Sequence, residues 1–352
     1  MENFDPNKTP KKQILSAQID LSKFERATDE EKRQQDVMSE STSFFKDGMR
    51  KLFKNPLAVL SIVVLAAIIL TIIIAPMIVP YGYEEILSVN GKRDKGAKNL
   101  APFTYSKAEQ KYIDEGGTRF PHIMGTDEQC RDYFIRVIYG TRISLVVGFF
   151  ASIIVLIIGV TIGSIAGYCG GKVDLIIMRI VDIFNCVPTM PMMMIVGVAL
   201  DKQDISGPAK LYIMMAMLTL FGWAGTARLV RGQILSLREQ DFMLSAEASG
   251  LTVGRKIFRH LIPNVMPQLI VSMTLGLGGI ILTEATLGDL GIGLPAEYAT
   301  WGNMINAAAN NTALVYYPNL WIAPGICIVL AVLAFNFVGD GLRDAFDPKA
   351  RR

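Results

Sequence analysis

Long uncharged runs separated by short basic connections dominate the chain from its sixth decade of residues onward. Leu57 to Val79 carries no charge. As a helix rising about 1.5 Å per residue it reaches roughly 35 Å, enough for a hydrocarbon core of about 30 Å. Ile143 to Gly171 is a second such run, and Ile183 to Leu200, beginning just after Asp182, is a third. Leu211 to Ala227 is shorter, roughly 17 residues, but its flanking Lys210 and Arg228 can extend their charged ends outward from apolar stems. A fifth run goes from about Val265 to Leu287, with Glu284 near its end, and a sixth from about Leu320 to Val338. The pattern predicts an all-α membrane protein with six transmembrane helices, no discontinuous helix among them, and both termini on one side.

The polar stretches predict the orientation and the domain plan. Lys46, Arg50, Lys51 and Lys54 precede the first run, and Lys172 and Arg179 lie between the second and third. Arg228, Arg231, Arg238, Arg255, Lys256 and Arg259 lie between the fourth and fifth, and Arg343, Lys349, Arg351 and Arg352 follow the sixth. All four clusters fall on one side, which the positive-inside rule makes cytoplasmic. The lysines of the long stretch Pro80 to Thr141 fall on the other side, where long translocated segments largely escape the rule. The expected plan is therefore a cytoplasmic tail over 1–55, a first transmembrane helix with a large extracytoplasmic loop over 56–142, a core over 143–340, and a cytoplasmic end over 341–352. The tail carries DEEKRQQD at Asp29 to Asp36 and lacks the early apolar core of a secretory signal. Phe44, Phe45, Met49, Leu52 and Phe53 recur at near-helical spacing against Lys46, Arg50, Lys51 and Lys54, predicting a basic amphipathic helix on the membrane surface.

Composition and charge exclude whole classes of function. Hydrophobic residues make up 51% of the 352 and charged residues only 19%, which is not a soluble composition. The balance of 35 basic against 32 acidic residues, a net charge of +3, is too small to hold a nucleic acid by counterion release. Cys130, Cys169, Cys186 and Cys327 form no CxxC pair, and the two histidines, His122 and His260, fall on opposite sides, so no metal or cofactor is expected. GxxxxGK[ST], HExxH and GxSxG are all absent, so the chain is expected neither to bind ATP by itself nor to be an enzyme.

Three sequence features carry the candidate sites. Gly159, Gly163 and Gly167, continued by Gly171, recur every four residues and line one helix face, which lets another helix approach closely. DFMLSAEASGLTVGRKIFRHLIPN, from Asp241, puts the small residues Ser245, Ala246, Ala248 and Ser249 before Gly250, a helix stop. A second short helix with Arg255, Lys256 and Arg259 then runs into Pro263, so the segment reads as a docking hairpin in which Glu247 and Arg255 are the polar contacts. Glu284 and Asp289, near the outer end of the fifth run, are acids at or near membrane depth and so are candidates to line a translocation path. Asn303, Asn306, Asn310 and Asn311 beside Trp301 suggest re-entrant or interfacial structure, while Asp174, Arg179 and Asp182 read as helix-pairing charges.

The hairpin resembles the EAA loop of bacterial ABC importer permeases, with Leu244, Ser245 and Ala246 at EAA, Gly250 at its glycine, and His260 to Pro263 at its I-x-L-P end. From Leu52 onward the chain is similar to the second, C-type permease of oligopeptide and dipeptide importers. The matching segments are HIMGTDEQCRD from His122, IYGTRISLVVG from Ile138, GGKVDLIIMRIVDIF from Gly170, TEATLGDLGIGLP from Thr283, TWGNMI from Thr300 and FNFVGDGLRDAFDP from Phe335. Departures are Cys130 at a glycine position, Asp289 at an apolar one, and the long loop Glu84 to Phe120. The resemblance implies the type I importer permease fold and uptake of peptides through the bacterial cytoplasmic membrane, with a nickel or metal-chelate importer of the same architecture as the alternative. It also implies partners: a homologous second permease, two ATP-binding subunits that dock on the region of Ala246, Glu247, Ala248, Gly250, Arg255 and Pro263, and an extracytoplasmic peptide-binding protein.

Overall fold

The structure, a computed structural model, describes residues 44–203, 205–290, 294–295 and 297–346. The tail before residue 44, the basic cluster at Lys349 to Arg352 and the Gly291 to Gly293 part of the TEATLGDLGIGLP segment lie outside the described residues. The chain divides into two compact units, Met1–Lys46 and Asp47–Arg352; apart from residues 44–46, everything described below belongs to the second.

Helix α1 spans Phe44–Leu52 and α2 spans Pro56–Ile78. Asn55 caps α2, its Oδ1 accepting from the Leu57 and Ala58 amides at 3.1 and 3.3 Å, and Pro56 occupies the first helical position, where a missing N–H costs nothing. The loop from residue 80 to 132 holds a two-stranded hairpin, β1 (Ser88–Val89) with β2 (Lys92–Arg93), and helix α3 (Lys107–Asp114). Helix α4 (Tyr133–Cys169) then runs 37 residues, about 55 Å, well beyond a bilayer core.

Next come α5 (Gly171–Cys186), α6 (Thr189–Asp201), α7 (Gly207–Leu237) and α8 (Asp241–Ala248). Helix α9 is continuous over Val253–Asp289, and α10 (Trp301–Ala308), α11 (Asn311–Tyr316) and α12 (Asn319–Phe346) complete the described residues. By length and composition α2, α4, α7, α9 and α12 can each cross a membrane, and α5 with α6 makes a sixth crossing if counted as one broken span.

The broken span corrects the sequence expectation of a straight third helix over Ile183 to Leu200. Its two halves are bent by 72° around Val187 and Pro188. Proline has no N–H for the helical ladder and pushes the residue before it out of the helical region; Val187 is accordingly extended, at φ −73° and ψ 124°. The 13 residues of α6 reach about 20 Å, short of the roughly 30 Å core, so α5 has to supply the rest of the crossing.

Following the chain back and forth gives two ends: a loop end, with residues 80–132, α10 and α11, and a hairpin end, with α8. At the hairpin end Leu52, Ala58, Val271, Leu342, Ala345 and Phe346 form one apolar cluster. This modifies the reading of α1 as a helix lying on a membrane. Leu52 is buried against α12, a helix that continues eight residues past the expected limit at Val338, while Phe53 is 59% exposed.

Helix α4 is the hub of the molecule and packs along α7, α9 and α5. Its contact with α7 is the closest. A Cβ on Gly159 would lie 2.6 Å from the Thr226 Cβ, one on Gly163 would strike the Ala227 carbonyl oxygen, and one on Gly167 would lie 2.9 Å from both the Arg231 carbonyl oxygen and the Ile234 Cβ. Spacing of four keeps all three glycines on one helix face, so backbone meets backbone over two turns.

Candidate functional site

The hairpin of α8 and the start of α9 is built on a small apolar core. Met243 is buried in one cluster with Val230 and Ile234 of α7 and Ile257, Leu261 and Val265 of α9, and Ala246 is buried as well. Leu244, Ser245, Glu247 and Ala248 are exposed. Ala246, a sequence candidate for docking, therefore faces inward and seats the helix, whereas Glu247, Ala248, Gly250 and Arg255 are exposed. The end of α8 is a Schellman turn: the Gly250 amide donates to the Glu247 carbonyl at 2.9 Å and the Leu251 amide to the Ala246 carbonyl at 3.2 Å. That turn needs a left-handed residue, and Gly250 has φ +68° with open space where a Cβ would stand. Lys256, 8% exposed, closes the hairpin with Nζ 3.2 Å from Glu247 Oε1 and 5.9 Å from the centre of the Tyr168 ring on α4.

Pro263 does not end the second helix, as its position suggested. Residues Lys256–Leu261 form a widened π-turn, with the Ile262 amide bonded to the Ile257 carbonyl five residues back, and the side chain of Asn264 donates to the His260 carbonyl at 2.7 Å. The added width carries the helix past the proline, so the hairpin is the end of one unbroken helix that reaches Asp289.

Ion pairs fasten the surrounding helices at this end. Arg231 on α7 grips Asp174 on α5 bidentately, Nε to Oδ1 at 2.7 Å and Nη2 to Oδ2 at 2.5 Å, and Arg228 meets Asp182 at 2.6 Å. Arg238 donates to the Gly167 and Tyr168 carbonyls at 3.2 and 3.4 Å, placing a cation on the carbonyl end of α4.

Glu284 lies about 44 Å along α9 from Arg255. Its side chain is 1% exposed and hydrogen-bonded to Ser144 and Thr300, and its Oε2 has no hydrogen-bond partner among the described residues. Ser144 also accepts from the Trp301 amide at 3.3 Å, and the buried Trp301 indole donates to Thr141 at 3.1 Å. Glu284 therefore sits inside the wall where α4, α9 and α10 meet, not on an open face of this chain. Asp289, half-buried, ends α9, and its carbonyl accepts the side-chain amide of Asn306. Asn303 ties α10 to the preceding loop through the carbonyls of Leu294, Pro295 and Tyr298.

Sequence reasoning missed the strongest polar cluster, in the loop. His122 is fully buried with Nδ1 2.7 Å from Asp132 Oδ2 and Nε2 3.1 Å from Glu109 Oε1. Asp132 caps α4 through the Ile135 amide at 3.0 Å; Glu109 forms a capping box with Ser106 on α3, and Ser106 in turn bonds Asp94. One buried chain of hydrogen bonds thus pins the loop to the head of the hub helix. Burial acts to lower the pKa of His122, but the bonds to Asp132 and Glu109 outweigh it and raise it to about 9. For Glu109 burial likewise opposes and the histidine bond prevails, so its pKa is lowered. The S-x-x-E of SKAE at Ser106 was the one available signal for this cluster.

Residues 159–352 match the family described as "Binding-protein-dependent transport system inner membrane component", and residues 43–106 match "N-terminal TM domain of oligopeptide transport permease C". The chain is 37% identical over 316 residues to the oligopeptide transport system permease protein OppC of Bacillus subtilis (strain 168), covering 90% of this chain and 93% of that protein. It is 36% identical over 311 residues to the dipeptide transport system permease protein DppC of Alkalihalophilus pseudofirmus, covering 88% and 92%. To the OppC of Haemophilus influenzae it is 35% identical over 319 residues, covering 91% and 93%. Among solved structures it is similar to the inward facing conformations of the MetNI methionine ABC transporter, at 18% identity and a TM-score of 0.46, covering 61% of this chain and 97% of that one.

Proposed function

Since the chain belongs to the family of binding-protein-dependent transport inner membrane components, we propose that it is the membrane subunit of an ATP-driven importer that carries oligopeptides or dipeptides through the bacterial cytoplasmic membrane. The peptide cargo follows the relatives, which are oligopeptide and dipeptide permeases. The chain has no phosphate-binding loop of its own, so hydrolysis belongs to two separate ATP-binding subunits. A second permease completes the path, and an extracytoplasmic binding protein delivers the peptide. Both termini are cytoplasmic, with the hairpin end inside and the loop end outside.

The observation that carries this reading is the hairpin's attachment. Its exposed face, with Leu244, Glu247, Ala248 and Arg255, sits at the end of a helix that runs unbroken to the loop end. A push delivered there moves α9 as a rigid lever and can open or close the path at the far side. Met243 and Lys256 hold the hairpin on α7 and α4, so the motion is shared with both helices. Glu284 and Asp289 act at the remote end of that lever, where they fix α10 to α9 and shape the path.

Co-purification and ATPase assays test the docking role. Leu244→Asp together with Arg255→Glu, both exposed and outside the hairpin's core, should leave the permease in the membrane and remove the ATPases from it. Full ATPase occupancy in that double variant would rule the hairpin out as the docking element.

A further inference from the structure

Helix α1 is seated by one side only. A Cβ on Gly48 would strike the ring of Phe346 on α12, and Met49 and Leu52 join the apolar cluster of Ala58, Leu342, Ala345 and Phe346. Gly341 lets α12 close in, since a Cβ there would stand 2.6 Å from the Ala58 Cβ and 2.9 Å from the Leu52 Cδ1. The helical period turns Arg50 and Lys51 away from that seam. Both are exposed, as are Phe53 and Lys54 in the turn that follows. None of the three cations is in an ion pair among the described residues, and Asp47 is the one acidic residue of α1. The exposed charges at the neighbouring end of α12 are Asp340, Arg343 and Asp344. They lie off the face of Gly341, Leu342 and Ala345 that carries α1, so they do not neutralise the patch.

The depth of the patch is set by the chain itself. Only Phe53, Lys54 and Asn55 separate the end of α1 from Pro56, the first residue of the apolar span α2. Their amides bond back to the Met49, Lys51 and Leu52 carbonyls at 3.1, 3.0 and 3.1 Å, which closes the link into a turn, well short of its extended reach of about 14 Å. Just inside α2, Leu57, Leu60 and Val63 are each more than half exposed, as suits residues covered by hydrocarbon. Three cations and an exposed aromatic ring are thereby held at the level where a span leaves the hydrocarbon. Phosphate headgroups lie at that level, and aromatic rings and the stems of basic side chains are favoured there.

We propose that Arg50, Lys51, Phe53 and Lys54 form a binding site for anionic phospholipid, with the cations on the headgroup and the Phe53 ring among the upper acyl carbons. Lipid is the occupant because the patch begins three residues from a span and carries the charge that draws an anionic leaflet to juxtamembrane lysines and arginines. With one side on α12 and the other on lipid, α1 anchors the end of α12 to the leaflet. The inference rests on the orientation proposed above for which leaflet it faces, and on nothing about the cargo.

The test is fluorescence quenching of a Phe53→Trp reporter in the complete transporter, with the Phe53 parent as background. Nanodiscs of neutral phosphatidylcholine would hold a small fraction of either phosphatidylglycerol or phosphatidylcholine brominated on the upper acyl chain. Brominated phosphatidylglycerol should reach half-quenching at a mole fraction at least about tenfold lower, and high salt should shrink that advantage. Arg50→Gln, Lys51→Gln and Lys54→Gln together should bring the two lipids to parity. Lys172→Gln, exposed at the start of α5 and outside the patch, should leave the advantage in place. Equal quenching by the two lipids in the reporter itself would overturn the proposal, and that comparison needs no charge variant to fold. An advantage that survives the triple variant, or that Lys172→Gln removes as completely, would also overturn it, because the attraction would then belong to the whole hairpin end. Quenching by neither lipid would overturn it as well, since something other than lipid would cover α1. None of these outcomes reads transport, so the functional reading stands or falls separately on peptide uptake.

Discussion

At the scale of single residues, the two groups that matter most are one the chain charges and one it leaves bare. His122 is held as an imidazolium between Glu109 and Asp132, with a pKa of about 9 against an ordinary 6.5. A group whose pKa is raised by folding stabilises fully below its unfolded value and loses that contribution as pH climbs through the folded one. The thermal midpoint of the purified protein should therefore fall between pH 6.5 and 9, a slope worth on the order of 3 kcal/mol in total. Glu109 has the opposite sign: its contribution is present above about 4.5 and is lost as pH falls. His122→Gln should abolish the alkaline slope and lower the midpoint at pH 7, because two buried carboxylates lose their cation; an unchanged slope would show that another group titrates. At Gly250 the backbone alone decides. Gly250→Asn should retain coupling because asparagine tolerates a left-handed conformation, and Gly250→Val should lose it through strain of its branched side chain against its own backbone, since the open space around the site leaves no neighbouring residue to clash with. Transport-linked ATPase activity of the two variants separates them.

Elements show where the sequence could be read and where it could not. The apolar runs announce spans because a bilayer imposes length and hydropathy on them directly. Helix ends were hidden, because α4, α7 and α9 extend beyond their apolar runs on polar residues such as Arg136, Arg231 and Arg255, which hydropathy counts as loop. The glycine spacing from Gly159 indicates a close approach but not its partner, and α7 supplies that only in three dimensions. Gly163→Leu should accordingly separate α4 from α7 and lower the thermal midpoint, an overpacking cost of about 1–3 kcal/mol or more, whereas Gly232→Leu, with nothing near its Cβ position, should be nearly neutral. Equal effects would contradict the ladder as the tight contact. The break at Pro188 was visible as a residue, yet it was read inside a straight span because an apolar run looks the same bent or straight. The π-turn before Pro263 erred the other way: a proline that reads as a stop is absorbed by one wide turn. The His122 cluster was illegible because its partners are 13 and 10 residues away in a loop whose fold no periodicity describes.

For the whole molecule, the account makes one mechanical demand: the hairpin and the loop end must move together through α9. A permease of this family takes its energy from partners, so a subunit with both ends intact but the hairpin disconnected should assemble and fail to transport. The most direct measurement is ATP-dependent uptake of a labelled oligopeptide into proteoliposomes holding the complete importer, with wild-type, Gly250→Asn and Gly250→Val forms of this chain compared at equal subunit stoichiometry. The expected result is peptide uptake by the first two and at least about a tenfold loss in the third, consistent with an element on which coupling depends. Uptake by Gly250→Val equal to wild type would contradict the hairpin's role, and the absence of peptide uptake by a fully assembled wild-type importer would contradict the function itself.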